Sequence, residues 1–81
     1  MLHLEIITPE KVLFSGDIKI IKLPGALGSF EILNNHAPLI STLIKGKIKV
    51  KEMNGLITYF EINSGLVEVS YNEISVLVES M

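Results

Sequence analysis

Cysteine, arginine, tryptophan and glutamine are all missing from this sequence of 81 residues. Without cysteine there is no disulfide scaffold, no thiolate metal site and no thiol nucleophile. Without arginine there is no planar fork to clamp a phosphate or carboxylate at two points. Charged residues make up only 20%, and the net charge is -2. That balance excludes the basic footprint of a nucleic-acid binder and the polybasic patch of a membrane anchor. The N-terminus, Met1-Leu2-His3-Leu4-Glu5, has no basic segment leading into a long apolar run, so nothing there resembles a targeting signal. The longest uncharged stretch, Ile32–Ile44, is interrupted by Asn34, Asn35 and Pro38 and is shorter than the ~20 residues a membrane helix needs. One small soluble domain, made in the cytoplasm and peripheral to something larger, is the expectation.

What is present is aliphatic and β-branched. Isoleucine, valine and leucine total 29 residues, 18 of them isoleucine or valine, whereas alanine occurs only at Ala26 and Ala37. Strand formers therefore outweigh helix formers. Alternation dominates, and no window sustains an amphipathic helix stripe. Leu2, Leu4 and Ile6 alternate with His3 and Glu5 up to Thr8-Pro9-Glu10. Val12 and Phe14 form a short strand before a turn at Ser15-Gly16-Asp17. Ile18 and Ile20 continue the alternation, and Ile20-Ile21 breaks its phase, which predicts a bulge. Leu23-Pro24-Gly25 closes that strand, and Ser29–Leu33 is the next. Asn34-Asn35-His36-Ala37-Pro38 is a loop by composition. Leu39–Ile44 follows, then Lys45, Lys47, Lys49 and Lys51 at alternate positions, and Asn54-Gly55 predicts a hairpin of type I′. Leu56–Ile62, Leu66–Ser70 and Ile74–Val78 are the last strands, separated by turns at Asn63-Ser64-Gly65 and Tyr71-Asn72-Glu73. Roughly eight short strands with turns every eight to twelve residues predict an all-β fold, a flattened antiparallel sandwich or barrel filling residues 1–81 as one domain.

Several strands are apolar on both faces. Leu56, Thr58, Phe60 and Ile62 are placed inward, which leaves Ile57 and Tyr59 outside, and Val67, Val69 and Tyr71 oppose Leu66. So small a domain cannot hide all of this, and the surplus points to an interface.

The candidate chemistry is thin. His36 has only Ser29, Ser41 and Thr42 as nearby hydroxyls, and no Gly-x-Ser-x-Gly elbow exists, so it is a loop or interface histidine rather than a base. His3 and His36 lack metal-ligand spacing. Pro24-Gly25-Ala26-Leu27-Gly28-Ser29-Phe30 is glycine-rich without the lysine or helix of a phosphate loop, so Gly25 or Gly28 serves a positive-φ turn. The lysine stripe is assigned to a solvated face or a guarded sheet edge, ahead of an acidic partner. The carboxylates are scattered, with no catalytic pair. The residues point to a small interaction domain, not an enzyme, and require no cofactor or metal.

The loops add a resemblance. Pro24-Gly25-x-x-Gly28-x-Phe30-x-Ile32-Leu33-x-x-His36-Ala37-Pro38-Leu39 closely resembles the ε subunit of F-type ATP synthases, the subunit called δ in mitochondria. Leu4-x-Ile6-Ile7-Thr8-Pro9-Glu10, Phe14-Ser15-Gly16, Gly46-x-Ile48-x-Val50, Ser64-Gly65-x-x-Glu68-Val69 and Ile74-x-Val76-Leu77 fall in the same order as in that family. The resemblance implies a non-catalytic block of the rotor's central stalk that attaches the γ subunit to the membrane c-ring. It would serve the catalytic α and β subunits only indirectly and bind no nucleic acid. It would sit at the cytoplasmic face of a bacterial membrane without inserting. By the same resemblance Ala26, Leu27, Gly28 and Ser29 face the c-ring, and His36, Ala37, Pro38 and Ser41 face γ. Ser29 stands where many members carry a carboxylate, Asn35 where a glycine is common, and Ser64 where many have a first glycine. Many bacterial members continue into an inhibitory two-helix hairpin. This sequence stops at Met81, so the expectation is either a natural short form or a fragment of a longer protein, without a C-terminal helical domain within these 81 residues, one that couples but does not inhibit through that hairpin. The alternative is a free-standing β-sandwich adaptor for another protein or a glycan.

Overall fold

The computed structural model describes residues 1–80. They form eight strands: β1 (Leu2–Ile7), β2 (Val12–Gly25), β3 (Gly28–Ile32), β4 (Leu39–Leu43), β5 (Gly46–Glu52), β6 (Ile57–Ile62), β7 (Ser64–Ser70) and β8 (Glu73–Ser80). The alternation read from the sequence becomes alternation of burial. In β1, Leu2, Leu4 and Ile6 are buried, and in β7, Val67 and Val69 are.

β2 is longer than the sequence suggested. The turn expected at Ser15-Gly16-Asp17 is not formed, and the chain runs through it as strand. The reason is pairing on the far side. β1 lies antiparallel along the first half of β2, with Leu4 opposite Gly16 and Glu5 opposite Ser15, so these residues have ladder partners and no need of a turn. The predicted bulge is present, as a register shift between Ile18 and Ile20 against β5. It lets Ile18, Ile21 and Leu23 all face the core.

The strands are ordered β1-β8-β7-β4-β2-β5-β6, with β3 beside β2 and β1 also beside β2. The long β2 thus belongs to both layers of the sandwich. β1, β8, β7 and β4 form one layer, and β3, the second half of β2, β5 and β6 form the other. Pairing is antiparallel except that β1 runs parallel to β8, a contact between opposite ends of the chain. Among the described residues, sixteen buried aliphatic side chains from both layers fill the space between them, including Leu4, Ile21, Ile48, Val67 and Val76. Phe14 and Phe60 meet edge to face, ring centroids 6.2 Å apart, at the margin of this core.

Four local readings are corrected. The Asn54-Gly55 hairpin joins β5 to β6, but φ is positive at Gly55 only (89°) and Gly55 N–H donates to Glu52 O at 2.9 Å. This is a turn over Glu52–Gly55 with the left-handed residue last, not type I′. Of the turn expected at Asn63-Ser64-Gly65 only Asn63 lies outside the strands, because β7 already begins at Ser64; the chain turns a corner between layers there, with β6 paired to β5 and β7 to β4 and β8. Leu56, expected inward, precedes β6 and is exposed. The lysine stripe shortens to Lys47, Lys49 and Lys51, since Lys45 precedes β5.

Candidate functional site

The two groups of residues singled out in the loops sit at opposite ends of β4. A five-residue strand spans roughly 14 Å, so these are separate surfaces joined by one stiff element.

At one end, the β2–β3 turn projects Ala26 and Leu27, whose fractional exposure is 105% for Leu27. Gly25 and Gly28 are cross-strand partners that close the turn. They do so for different reasons. Gly28 adopts φ +130°, whereas at Gly25 a Cβ would lie 2.7 Å from both the Phe30 ring and Gly28 O. The turn is held against β4: Ala26 N–H donates to Thr42 O at 3.1 Å, and Ile44 N–H donates to Pro24 O at 2.9 Å. Ser29, the first residue after the turn glycine, is exposed on β3. Ile44 and Lys45 are exposed beside them, so the apex is mainly apolar with one cation.

At the other end, Asn34 and Asn35 turn the chain ahead of β4. Asn35 adopts φ 65°, the conformation for which Asn is the best-suited residue after Gly. Its N–H donates to Asn72 Oδ1 at 2.9 Å, which ties this loop to the β7–β8 turn 37 residues away. His36 is half-buried, and its Nδ1 lies 2.7 Å from Ala37 O. A carbonyl can only accept, so Nδ1 is the donor in this contact. Ala37 and Pro38 are exposed. Asn35, His36, Pro38, Tyr71 and Asn72 line a cleft of about 260 Å³. A neighbouring depression runs from Pro38 and Ile40 to Glu68 and Ser70.

The structure therefore joins Ala26, Leu27, Gly28 and Ser29 in one apex, and His36 and Pro38 in one cleft, with Ala37 exposed between them but not in its lining. Ser41 is not fully part of either. It alternates with Ile40 and Thr42, shares the inward side of β4 with Leu39 and Leu43, and is half-buried, with its Oγ 3.3 Å from Thr42 O. Tyr71 and Ile40 belong to the cleft end and were not recognised as such in the sequence. They are exposed to 84% and 67% respectively. No local pattern marks Tyr71, because only the β7–β8 register carries it to Asn35. Among the described residues, no group of three or more metal-ligating side chains converges and no helix is long and apolar enough to cross a membrane.

These features define a class: a small β-sandwich presenting two separate turn-built surfaces, neither with a paired nucleophile and base. Comparison with known proteins makes the class specific. A family described as "ATP synthase, Delta/Epsilon chain, beta-sandwich domain" matches residues 1–81. The protein named ATP synthase epsilon chain of Caulobacter vibrioides is 38% identical over 78 residues, 96% of this chain and 90% of its own length. The protein of the same name from Campylobacter fetus is 40% identical over 78 residues, 96% of this chain and 60% of its own length. The fold is also that of a chain in the Euglena gracilis mitochondrial ATP synthase OSCP/F1/c-ring structure. There the TM-score is 0.89 at 15% identity, covering 95% of this chain and 49% of the other. A chain of the Tetrahymena thermophila mitochondrial ATP synthase central stalk/c-ring matches with TM-score 0.81 at 20% identity, covering 98% and 63%. The chain belongs to the β-sandwich family of ATP synthase δ/ε chains.

Proposed function

We propose that this protein is a non-catalytic central-stalk subunit of a proton-translocating F-type ATP synthase. It attaches γ to the c-ring and so carries ring rotation to the catalytic α and β subunits. Its place is peripheral, on the cytoplasmic face of a bacterial membrane. The observation that supports this best is the two-ended geometry of a family member. The apex of Ala26, Leu27, Gly28 and Ser29 contacts the c-ring loops, and the cleft of His36 and Pro38, bordered by Ala37 and Ser41, receives γ. β4 connects the two, and β2 pairs with four other strands, β1, β3, β4 and β5. A torque applied at one end therefore meets hydrogen-bonded ladders along its path, not a hinge. In keeping with a non-catalytic role, His36 and Ser41 bond to the backbone at Ala37 O and Thr42 O rather than to one another as a base and nucleophile would.

The test is a pull-down of the tagged protein from detergent-solubilised native membranes, with mass spectrometry of what is retained. Recovery of γ, α, β and c subunits is the expected result. Recovery alone, or with unrelated proteins, would remove the rotor reading in favour of a free-standing adaptor.

A further inference from the structure

The outer faces of the two layers differ in charge. β1, β4, β7 and β8 contribute Glu5, Glu68, Glu73 and Glu79 and no lysine. From Ile18 onward, β2 with β3, β5 and β6 contributes Lys19, Lys22, Lys47, Lys49 and Lys51, against Glu31, Glu52 and Glu61. Register gathers three of these lysines. One row across the sheet runs Glu31, Lys22, Lys49, Tyr59, and the next runs Ile20, Lys51, Ile57. Ile20, Lys22, Glu31, Lys49, Lys51 and Ile57 line a groove of about 170 Å³.

Two features single this groove out from an ordinary wet surface. Lys22 and Lys49 are direct cross-strand partners, an arrangement that destabilises a sheet. Glu31, across from Lys22 on β3, offsets this for Lys22 alone; among the described residues the lysine ion pair is Lys47–Glu61 at 3.9 Å, and Lys49 and Lys51 have no carboxylate as cross-strand partner. The explanation by edge protection also fails, because β5 is paired on both sides, by β2 and by β6. The apolar lining between the lysines is Ile20, half-buried, and Ile57, exposed to 43%.

We propose that this face docks an acidic amphipathic helix of a partner protein, independently of the two ends of β4. Lys22 and Lys49 stand about 5 Å apart across the strands, and Lys49 and Lys51 about 7 Å apart along one. Carboxylates three or four positions apart on a helix are separated by about 5–6 Å, so one acidic stripe reaches all three ammonium groups while its apolar flank covers Ile20 and Ile57. Glu31 in the same groove selects for register, since it repels a carboxylate placed one row too far toward β3. A flat anionic bilayer fits this site less well, because it would press equally on Glu31 and Glu61.

The test uses the full chain, isotope-labelled, titrated with a synthetic helix of Glu, Leu and Ala of about four turns. Amide shifts confined to residues 20–22, 49–51 and 57 are expected, with affinity that falls as salt rises. Replacing Lys22, Lys49 and Lys51 together by Gln should weaken binding about tenfold or more. Replacing Lys11 and Lys45 by Gln should leave it unchanged. Lys49→Gln alone separates recognition from folding: it removes the like-charge contact, so binding falls while the melting temperature holds or rises. Shifts spread over every lysine, or an equal loss in the Lys11/Lys45 control, would sink the proposal as unspecific charge. Binding to phosphatidylglycerol vesicles and not to the helix would overturn it in favour of lipid. Sedimentation showing self-association through the lysine face would overturn it in favour of a second copy.

Discussion

Among the described residues, two other than glycine hold the left-handed backbone region, Asn35 and Tyr71, and they do so at the same end of the molecule. For Asn35 (φ 65°) this costs little, but Tyr71 (φ 55°) has no such tolerance and its ring is almost fully solvated. Tyr71→Asn should therefore raise stability by about 1 kcal/mol in urea denaturation. A loss instead would mean that the ring contributes packing not evident from its exposure. The two turn glycines make an ordered pair of predictions. Gly28→Ala meets no atom and costs about 1 kcal/mol through backbone strain alone. Gly25→Ala collides with Phe30 and with Gly28 O and should cost about 2–3 kcal/mol. If the urea midpoints came out in the opposite order, steric closure would not be what Gly25 supplies. The sequence marked both glycines for the turn, but which one needed φ and which needed space depended on where Phe30 folds back.

At the scale of elements, alternation was legible and pairing was not. The aliphatic positions of β1, β5 and β7 are buried as their parity requires. Ile48→Ala in the middle of β5 should accordingly cost about 2–4 kcal/mol, whereas Ile57→Ala on the outer side of β6 should cost under about 0.5 kcal/mol, both read from chemical denaturation. β2 was misjudged because Ser15-Gly16-Asp17 has turn composition, and only β1 lying alongside makes it strand. The lysine stripe was seen by parity, but whether β5 was an edge or an interior strand depended on β6 returning beside it.

For the whole molecule, the arrangement of β2 across both layers implies that neither layer persists alone. Unfolding should be a single cooperative transition with a urea m-value of about 1 kcal/mol/M. It should coincide in far-UV and tyrosine signals, and separated midpoints would show the layers to be independent. The two ends should be separable in binding although not in folding. Under the proposed function, His36→Ala should weaken capture of γ, and Leu27→Asp should weaken capture of the c-ring. Each should leave the other contact and the melting temperature unchanged. Loss of both contacts in either variant would mean a distorted sandwich rather than two sites.

The sequence by itself determined the class of fold, the strand periodicity and the family, because these rest on local properties. β-branched residues at every second position favour strands wherever they lie, and Pro24–Gly28 and Asn34–Pro38 carry their conformations within a few residues. Only the tertiary structure decided which distant residues share a surface. The parallel contact of β1 with β8, the Asn35–Asn72 bond that brings Tyr71 to His36, and the row that sets Lys22 against Lys49 all join residues about 27 to 70 positions apart. Such pairings arise from the requirement that every strand bury one face and satisfy its backbone, a condition on the whole chain that no short stretch of it contains.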